Sequence, residues 1–301
     1  MKNVDVGGQA IIEGVMMKKQ DTYAIAVRKP DKEIILEKRI FKSFSKRNKI
    51  LGLPIIRGAV AFVESLVMGM KILTYSAEFF EVDGDQEPSK FEKKLENKFG
   101  KKKMDDVLIF ISVTLASILS IGLFILLPLG ISQLLKPLLD STRLINLVDG
   151  IIRILILFGY IYLISFMKDI QRVFQYHGAE HKSIHCLENE EELTIENVKK
   201  QSRLHKRCGT NFLFIVVIIS VLVLTMFNVD TFFLRLGVRL LMLPFIAGLS
   251  YEVIKLLGKN DNVLADIVSF PGLCLQKITT QEPDDEQIEV AIAALKGALE
   301  G

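Results

Sequence analysis

Four long runs of apolar residues constrain the fold of this chain more than any other feature of its sequence. The runs cover residues 107–135, 147–166, 211–227 and 232–249. Each is long enough for an α-helix to cross the hydrocarbon core of a bilayer. The mean hydropathy of +0.35 coexists with 24% charged residues because the two classes are segregated along the chain. We predict a mainly α-helical, polytopic membrane protein with about four transmembrane helices.

The distribution of basic residues predicts the orientation of these helices. The segment 168–210 carries eight Lys and Arg residues, whereas the loops 136–146 and 228–231 carry only Lys136 and Arg143. Because short loops rich in Lys and Arg stay on the cytoplasmic side, we expect both termini and the segment 168–210 in the cytoplasm. The first residues contain no apolar signal region, so no cleavable signal peptide is expected. The chain is therefore expected to be a multi-pass protein of the cell membrane.

The segment 53–80 is apolar with a thin charged stripe. Its charged residues recur every seven positions and fall on nearly one face of a helix; they are Arg57, Glu64, Lys71 and Glu78. Such a helix could span the membrane or lie in its interface. Basic residues flank the segment on both sides, and a spanning helix would place one basic flank outside. The pattern therefore favours an interfacial or re-entrant helix.

The polar ends of the chain carry different patterns. Thr22–Lys29 and Glu33–Phe41 flank Pro30-Asp31-Lys32, which predicts a β-hairpin. Residues 4–17 contain three glycines and predict a turn followed by a buried strand or a short helix, with Glu13 a candidate partner for a cation. Near the other end, Leu264–Leu275 predicts an amphipathic or re-entrant piece.

A C-terminal helix is predicted after Pro283, where acidic residues suit a helix N-terminus. Its apolar residues share one face and are Ile288, Ile292, Leu295 and Leu299. We therefore divide the chain into four parts. They are a cytoplasmic N-terminal region with the hairpin (1–52), an interfacial helix with a basic linker (53–104), a four-helix membrane bundle that includes a His-rich insert at 168–210 (105–257), and a cytoplasmic C-terminal segment with an amphipathic helix (258–301).

All four histidines of the chain lie between His177 and His205. His177, Glu180 and His181 form an H-x-x-E-H pattern. On a helix, His177 and His181 lie on one face, and His185 continues that face one turn further on. Two imidazoles one turn apart can chelate a divalent ion, and a carboxylate beside them can act on a water molecule. A second polar cluster, His205–Thr210, immediately precedes the third apolar run.

These residues define a candidate metal site. His177, His181 and His185 are the first candidate ligands, and a ligand from a second element would be His205 or Cys208. Glu252, at the cytoplasmic end of the fourth run, is a candidate carboxylate ligand or a group that orients a ligand. Mixed nitrogen, oxygen and sulfur donors fit Zn²⁺ best, with Fe²⁺ and Mn²⁺ as alternatives. An odd number of cysteines at irregular spacing does not indicate a disulfide framework, so the thiols are available to metal.

The alternative interpretation is an ordinary polar cluster, or one that faces nucleic acid. The net charge of only +3 does not indicate a nucleic-acid-binding protein.

Four motifs carry a resemblance to a known family. They are Gly7-Gly8-Gln9-Ala10-Ile11-Ile12-Glu13-Gly14-Val15-Met16-Met17, Tyr176-His177-Gly178-Ala179-Glu180-His181-Lys182, His205-x-x-Cys208-Gly209-Thr210 and Thr280-x-Glu282-Pro283-Asp284-Asp285. With these motifs the chain resembles the bacterial YqhQ-like family over essentially its whole length. The resemblance implies a bacterial inner-membrane protein and a metal-dependent enzyme with its metal at the histidine segment. It implies no particular reaction.

Three functions remain open from the sequence. The first is a membrane-embedded metal hydrolase in which Glu180 is the general base, since H-x-x-E-H is the arrangement of inverted zinc peptidases. Its position near the lipid headgroups suggests a lipid or a membrane protein as substrate, with membrane lipids as partners and a homo-oligomer left open. The second is a non-catalytic scaffold, assembly or regulatory factor that a metal stabilises. A transporter ranks third because the sequence has no charged row through the middle of its spans.

Overall fold

A four-stranded antiparallel sheet forms the N-terminal part of the protein. The computed structural model describes residues 6–80, 101–139, 141–206, 208–227, 229, 231–257 and 263–300. The sheet has the order β1-β2-β3-β4. Its strands are β1 (Val6–Ile11), β2 (Gly14–Lys19), β3 (Thr22–Arg28) and β4 (Ile34–Ile40).

Helices form most of the remaining described chain. The helices that follow the sheet are α1 (Ile56–Glu78), α2 (Lys101–Ile121), α3 (Leu127–Leu134), α4 (Thr142–Ile164) and α5 (Lys168–Glu188). They are followed by α6 (Ile195–Lys200), α7 (Gly209–Thr225), α8 (Phe232–Leu257), α9 (Val263–Thr279) and α10 (Asp285–Leu299). The prediction of a mainly helical protein with a small N-terminal β element is confirmed.

The sheet contains the predicted hairpin and a second one. Strands β3 and β4 pair in antiparallel register, with Arg28 opposite Ile34, which confirms the predicted hairpin. Residues 6–19 form another hairpin, β1–β2, closed by the two-residue loop Ile12-Glu13 with Glu13 at φ 47°. The sequence did not reveal this loop because it lacks the Asn-Gly or Asp-Gly pair typical of tight hairpins.

Three helices in the described part of the chain are long and apolar enough to cross a membrane. They are Val107–Leu134, Arg143–Ile164 and Phe232–Leu257. The third predicted span corresponds to α7, which is apolar but has only 17 residues, so its crossing stays a prediction. Pro128 does not end the first span. A π-helical turn at Gly122–Leu126 joins α2 to α3, because Pro128 has no N–H to continue the regular hydrogen-bond ladder.

Strands β1–β4 and helices α5, α6 and α10 pack into one unit, which we call the polar module. Helix α10 covers β2 and β3 on one side and α5 on the other. Its core includes Met17, Tyr176, Ile288 and Leu295, all fully buried. The predicted C-terminal helix is therefore part of a core, and nine of its residues are buried. A capping box between Asp284 and Gln287 starts it.

Helix α1 connects the polar module to the membrane helices. Ile72 packs against the outer face of the sheet, and at the other end α1 crosses α8 with almost direct backbone contact. A Cβ atom on Gly58 would lie 2.6 Å from the carbonyl oxygen of Gly248. Arg57 forms an ion pair with Glu252 of α8 beside this crossing. An interfacial or re-entrant position of α1 in the membrane stays a prediction.

The chain turns sharply between the second span and the histidine helix. No proline separates the second apolar run from the histidine segment, so the sequence allows one continuous helix there. Instead α4 ends at Ile164 and Met167 adopts an extended conformation with ψ 127°. The Gln171 side chain donates to the carbonyl oxygen of Ser165 over 3.0 Å, which satisfies one of the free carbonyls at the end of α4. The turn brings α5 back beside the other helices.

Several charged residues lie inside the membrane helices. Asp149 pairs with Arg153 at 3.0 Å. Arg235 and Arg239 lie at one end of the fourth apolar run, where long side chains can reach the interface, but both are buried, at 5% and 4% exposure. The reason is that each finds a polar partner within the bundle: Arg239 binds Asp149 and Arg235 binds Asn146.

The three boundaries between the four predicted parts stay predictions, although the polar module joins residues from the first, third and fourth parts of the chain. The basic linker before the first span, at 81–100, lies outside the described residues, as do residues 1–5.

Truncating a core residue of α10 tests the polar module. We expect Leu295→Ala to destabilise it by about 2–5 kcal/mol, because the fully buried side chain would leave a cavity between α10 and the sheet. The half-buried Leu299→Ala is the matched control and should cost less. Thermal unfolding in detergent, followed by circular dichroism, measures both. Equal effects of the two substitutions would contradict the proposed packing.

Candidate metal centre

The histidines of α5 line one side of the helix, where they meet His205 from the following loop. The ring centroids of His177 and His181 are 4.4 Å apart. His205 lies 5.7 Å from His181 and 4.6 Å from His185, measured in the same way. The one-face prediction from the H-x-x-E-H spacing therefore agrees with the structure, and the four imidazoles form a continuous row.

One group of possible ligands consists of His177, His181 and Cys208. Their donor atoms all lie within 4.8 Å of one another, and the Nε2 atom of His177 is 3.2 Å from the Sγ atom of Cys208. Tetrahedral zinc, with Zn–N of about 2.0 Å and Zn–S of about 2.3 Å, brings its ligand atoms about 3.5 Å apart. The spacing of this group, which we call the first triad, fits such an ion.

A second group consists of His185, Glu188 and His205, whose donor atoms meet the same distance limit. The Glu188 carboxylate lies 3.3 Å from the Nε2 atom of His205 and 3.7 Å from the Nδ1 atom of His185. We call this group the second triad. Two histidine-containing groups among the described residues could thus hold a metal.

Backbone carbonyls determine which ring nitrogens face the triads. His177 donates from Nδ1 to the carbonyl oxygen of Thr279 over 2.8 Å, and His181 donates from Nδ1 to that of Arg203 over 2.6 Å. A neutral imidazole that donates from one nitrogen presents a lone pair on the other. Both Nε2 atoms therefore offer lone pairs to the first triad, and such hydrogen bonds are the usual support of metal-binding histidines.

Burial keeps the inner histidines in the neutral form that binds metal. Burial lowers the pKa of His181 well below its ordinary value, and the nearby His177 acts in the same direction. Burial also lowers the pKa of His205 to about 4. Because metal binding requires an unprotonated nitrogen, both rings are ready to act as ligands at neutral pH.

Cys208 occupies the N-cap of α7, where its Sγ atom accepts hydrogen bonds from Thr210. The distances to Thr210 are 3.1 Å from Oγ1 and 3.5 Å from the backbone nitrogen. Burial raises the pKa of the Cys208 thiol above its ordinary value, and these hydrogen bonds offset only part of that rise. The positive end of the helix dipole also favours a thiolate, which is the form that binds metal.

Glu180 lies beside the first triad, pressed against β1. Its Oε2 atom is 4.0 Å from the Nε2 atom of His177, and its carboxylate accepts a hydrogen bond from the Gly8 backbone. A Cβ atom at position 8 would lie only 2.7 Å from the Oε1 atom of Glu180. The glycine-rich N-terminal motif thus lets the backbone reach the carboxylate. Burial raises the pKa of Glu180 to about 7, and the neighbouring His177 opposes this shift.

The C-terminal part of α9 positions His205 from the membrane side. Gln276 is fully buried; its Oε1 atom accepts from the His205 backbone nitrogen and its Nε2 atom donates to the His205 carbonyl oxygen, each over 2.8 Å. The same helix supplies the Thr279 carbonyl that holds His177. Helix α9 therefore orients one residue of each triad.

The segment that follows α9 contacts α5 and stabilises its position. The Gln281 backbone nitrogen donates to the carbonyl oxygen of Phe174 over 2.9 Å, and a side chain at Gly178 would overlap the Gln281 carbonyl. Glu282 pairs with Lys182 at 2.8 Å and with Arg203 at 3.4 Å. Two of the sequence motifs, around residues 178 and 282, thus contact each other directly.

A cavity of about 320 Å³ opens beside the first triad. The possible metal ligands and acid on its wall are His177, Glu180, His181, His205 and Cys208. His185 and Glu188 are not among the lining residues, so the second triad reaches the cavity only through His205. A volume of this size suits a small ligand or one end of a larger one.

The structure brings six of the seven residues singled out from the sequence together. The exception is Glu252, which lies outside both triads because Arg57 of α1 binds its carboxylate through two hydrogen bonds. The sequence placed Glu252 near the correct end of its helix but could not reveal this partner. Sequence reasoning also missed Glu188, although His185-x-x-Glu188 repeats the His177-x-x-Glu180 spacing.

Fold and site together define a multi-pass membrane protein with two groups of metal-binding type at the junction between a polar module and the membrane helices. A family model described as "Protein of unknown function (DUF1385)" matches residues 53–301. The chain is also 36% identical over 298 residues to a protein of Bacillus subtilis (strain 168) called "Uncharacterized protein YqhQ", covering 97% of this chain and 92% of that protein. The chain therefore belongs to the DUF1385 family. No solved structure matches it.

Substitution of one histidine in each triad tests the metal ligands. We expect purified protein to carry one ion in each triad, His181→Ala to lose the first and His185→Ala to lose the second, because each ring contributes to only one triad. Ser183→Ala, a buried position between them on the same helix, is the control and should keep both ions. Elemental analysis gives the metal content. If His181→Ala binds as much metal as the wild type, the first triad is wrong.

Proposed function

We propose that this protein is a membrane-embedded, metal-dependent hydrolase that works at the cytoplasmic face on a lipid or a membrane protein. The observation that carries the proposal is the position of Glu180, a buried carboxylate in the wall of the cavity and 4.0 Å from a ligand nitrogen of the first triad. A structural metal site has no need of an acid held beside it, whereas a hydrolytic site requires a general base.

An ion held by the first triad would keep a fourth coordination position for an exchangeable ligand. It offers three ligands, His177, His181 and Cys208, and catalytic zinc sites commonly have three protein ligands and one open position. A divalent ion held there would lower the pKa of a coordinated water to about 7. Zn²⁺ suits two imidazoles and a thiolate best, with Fe²⁺ and Mn²⁺ as alternatives.

Glu180 serves as the general base in this proposal. Its carboxylate takes a proton from the attacking water and passes it to the leaving group. The Gly8 backbone N–H holds one side of this carboxylate, so the other side faces the triad. The amide, ester or phosphoester bond of the substrate would lie in the cavity, against the triad.

The location of the cavity supports a substrate from the membrane. Its wall includes Cys208, Gly209 and Thr210, which begin the apolar helix α7. In this proposal a group at the edge of the bilayer enters the cavity beside the start of α7. Only His205 of the second triad lines the cavity, and we assign this triad a structural role in joining the loop at His205 to α5.

A specific observation also favours a non-catalytic alternative, a metal-stabilised scaffold. The second triad is largely buried, with Glu188 at 3% and His205 at 7% exposure. An ion at such a closed site would contribute folding free energy and no reaction. The two functions differ in the role of Glu180, which is the general base in the hydrolase and has no catalytic role in the scaffold.

Glu180→Gln separates these functions. We expect this variant to keep the metal content of the wild type but to lose about a hundredfold to ten-thousandfold in turnover, because the amide cannot accept the proton. The measurement is product release by mass spectrometry from mixed micelles that contain acyl esters, acyl amides and lipid phosphodiesters. The exposed Glu196→Gln on α6 is the control and should remain fully active.

Two results would count against the hydrolase. One is a Glu180→Gln variant with wild-type turnover. The other is a metal-loaded wild type that releases no product from any substrate of the panel, which would favour the scaffold.

Two neighbouring glycines provide a second test. We expect Gly8→Ala to keep its metal but to lose turnover, up to about a hundredfold, because the new Cβ atom displaces the Glu180 carboxylate. Gly7→Ala is the matched control, since a Cβ atom there would meet nothing within 4 Å. Metal content and turnover are measured for both. Equal turnover of the two variants would contradict the role of Gly8 in placing Glu180.

A further inference from the structure

A second cavity lies within the membrane helices, separate from the metal centre. It has a volume of about 440 Å³ and lies between α4, α7 and α8, with the π-helical turn after α2 at one side. Its wall is mostly aliphatic and aromatic and includes Leu157, Val217, Leu243 and Ile246. A cavity of this volume and character is typical of sites for small apolar or amphiphilic ligands.

Two arginines lie in the wall of this mostly apolar cavity. They are Arg153 of α4 and Arg239 of α8. Both pair with the same carboxylate, that of Asp149, at 3.0 Å and 2.8 Å. Two guanidinium groups therefore share one carboxylate, and the three residues together carry a net charge of +1. Such an excess of charge inside a membrane is costly unless it serves a ligand or a pathway.

The guanidinium groups also keep unused hydrogen-bond donors. The Nη1 atom of Arg239 and the Nη2 atom of Arg153 are buried and have no hydrogen-bond partner among the described residues. Arg239 is only 4% exposed, so bulk water does not satisfy it. A buried donor without an acceptor is destabilising, and the cost is larger for a charged group. The missing partner must be an acceptor, and the net charge favours an anion.

We propose that this cavity binds a single-chain amphiphile with an anionic headgroup. The headgroup accepts hydrogen bonds from Arg153 and Arg239 and balances their excess charge. The acyl chain fills the apolar part of the cavity along α7, towards Leu213. The anionic group is a carboxylate or a phosphate, since both present oxygens that match a guanidinium. The site uses no residue of either triad.

The depth of the arginines agrees with a ligand that comes from the membrane. Arg239 follows the first residue of α8 by seven positions, which is about 10 Å along the helix axis. A water-soluble anion has no apolar part with which to occupy the mostly aliphatic and aromatic remainder of the cavity. An amphiphile brings an apolar chain that the lining residues can contact.

Matched pairs of lipids test this proposal on the full-length protein. Native mass spectrometry of delipidated protein in detergent measures binding of palmitate against hexadecanol, and of palmitoyl lysophosphatidate against monopalmitin. Each pair shares its chain and differs in charge. We expect the charged member of at least one pair to bind about tenfold tighter or more, as expected for a charge-assisted hydrogen bond. The pair with the larger difference identifies the headgroup as carboxylate or phosphate.

Variants test whether the two arginines cause the preference for charged lipids. Arg239→Gln leaves the Asp149–Arg153 pair neutral and should abolish the preference for the charged lipid. Arg143→Gln, at the exposed start of α4, is the matched control and should retain it. If Arg239→Gln does not fold, Val216→Phe fills the cavity without touching a charge and should weaken binding of both members of each pair.

Two results would overturn the proposal. One is equal binding of charged and uncharged lipids to the wild type. The other is inorganic phosphate that binds the wild type as tightly as the charged lipid does, because the chain would then contribute nothing.

Discussion

Hydrogen bonds from imidazole nitrogens to backbone carbonyls are the interaction on which the candidate metal centre depends. Thr279 and Arg203 accept from the Nδ1 atoms of His177 and His181, and Leu204 accepts from the Nε2 atom of His185. These bonds fix the ring orientation and leave the opposite nitrogen as a lone-pair donor. Because the acceptors are backbone carbonyls, these hydrogen bonds do not depend on which side chains occupy the three acceptor positions.

The same bonds couple the polar module to the membrane helices. The rings belong to α5, whereas their acceptors belong to the loop before α7 and to the end of α9. Cys208 at the start of α7 and His205, held by Gln276 of α9, complete the two triads. An ion in either triad would therefore bridge elements on both sides of this junction.

The sequence revealed the parts of the protein that depend on local periodicity and missed those that depend on distant partners. The H-x-x-E-H spacing placed His177 and His181 on one helix face because helix geometry alone determines that relation. Glu252 was misassigned because its partner, Arg57, is 195 positions away. Likewise, the burial of Arg239 follows from Asp149, on another helix. Glu188 could have been found, because it repeats the spacing of Glu180 eight residues later. Contacts between segments that are distant in the sequence leave no local sequence pattern from which they could be predicted.

X-ray absorption spectroscopy of the zinc-loaded His185→Ala variant tests the central claim most directly, because this variant keeps only the first triad complete. The account predicts one sulfur ligand at about 2.3 Å and two imidazole nitrogens at about 2.0 Å, together with one further light atom from an exchangeable ligand. A spectrum without sulfur, or with only oxygen ligands, would contradict a centre built from His177, His181 and Cys208.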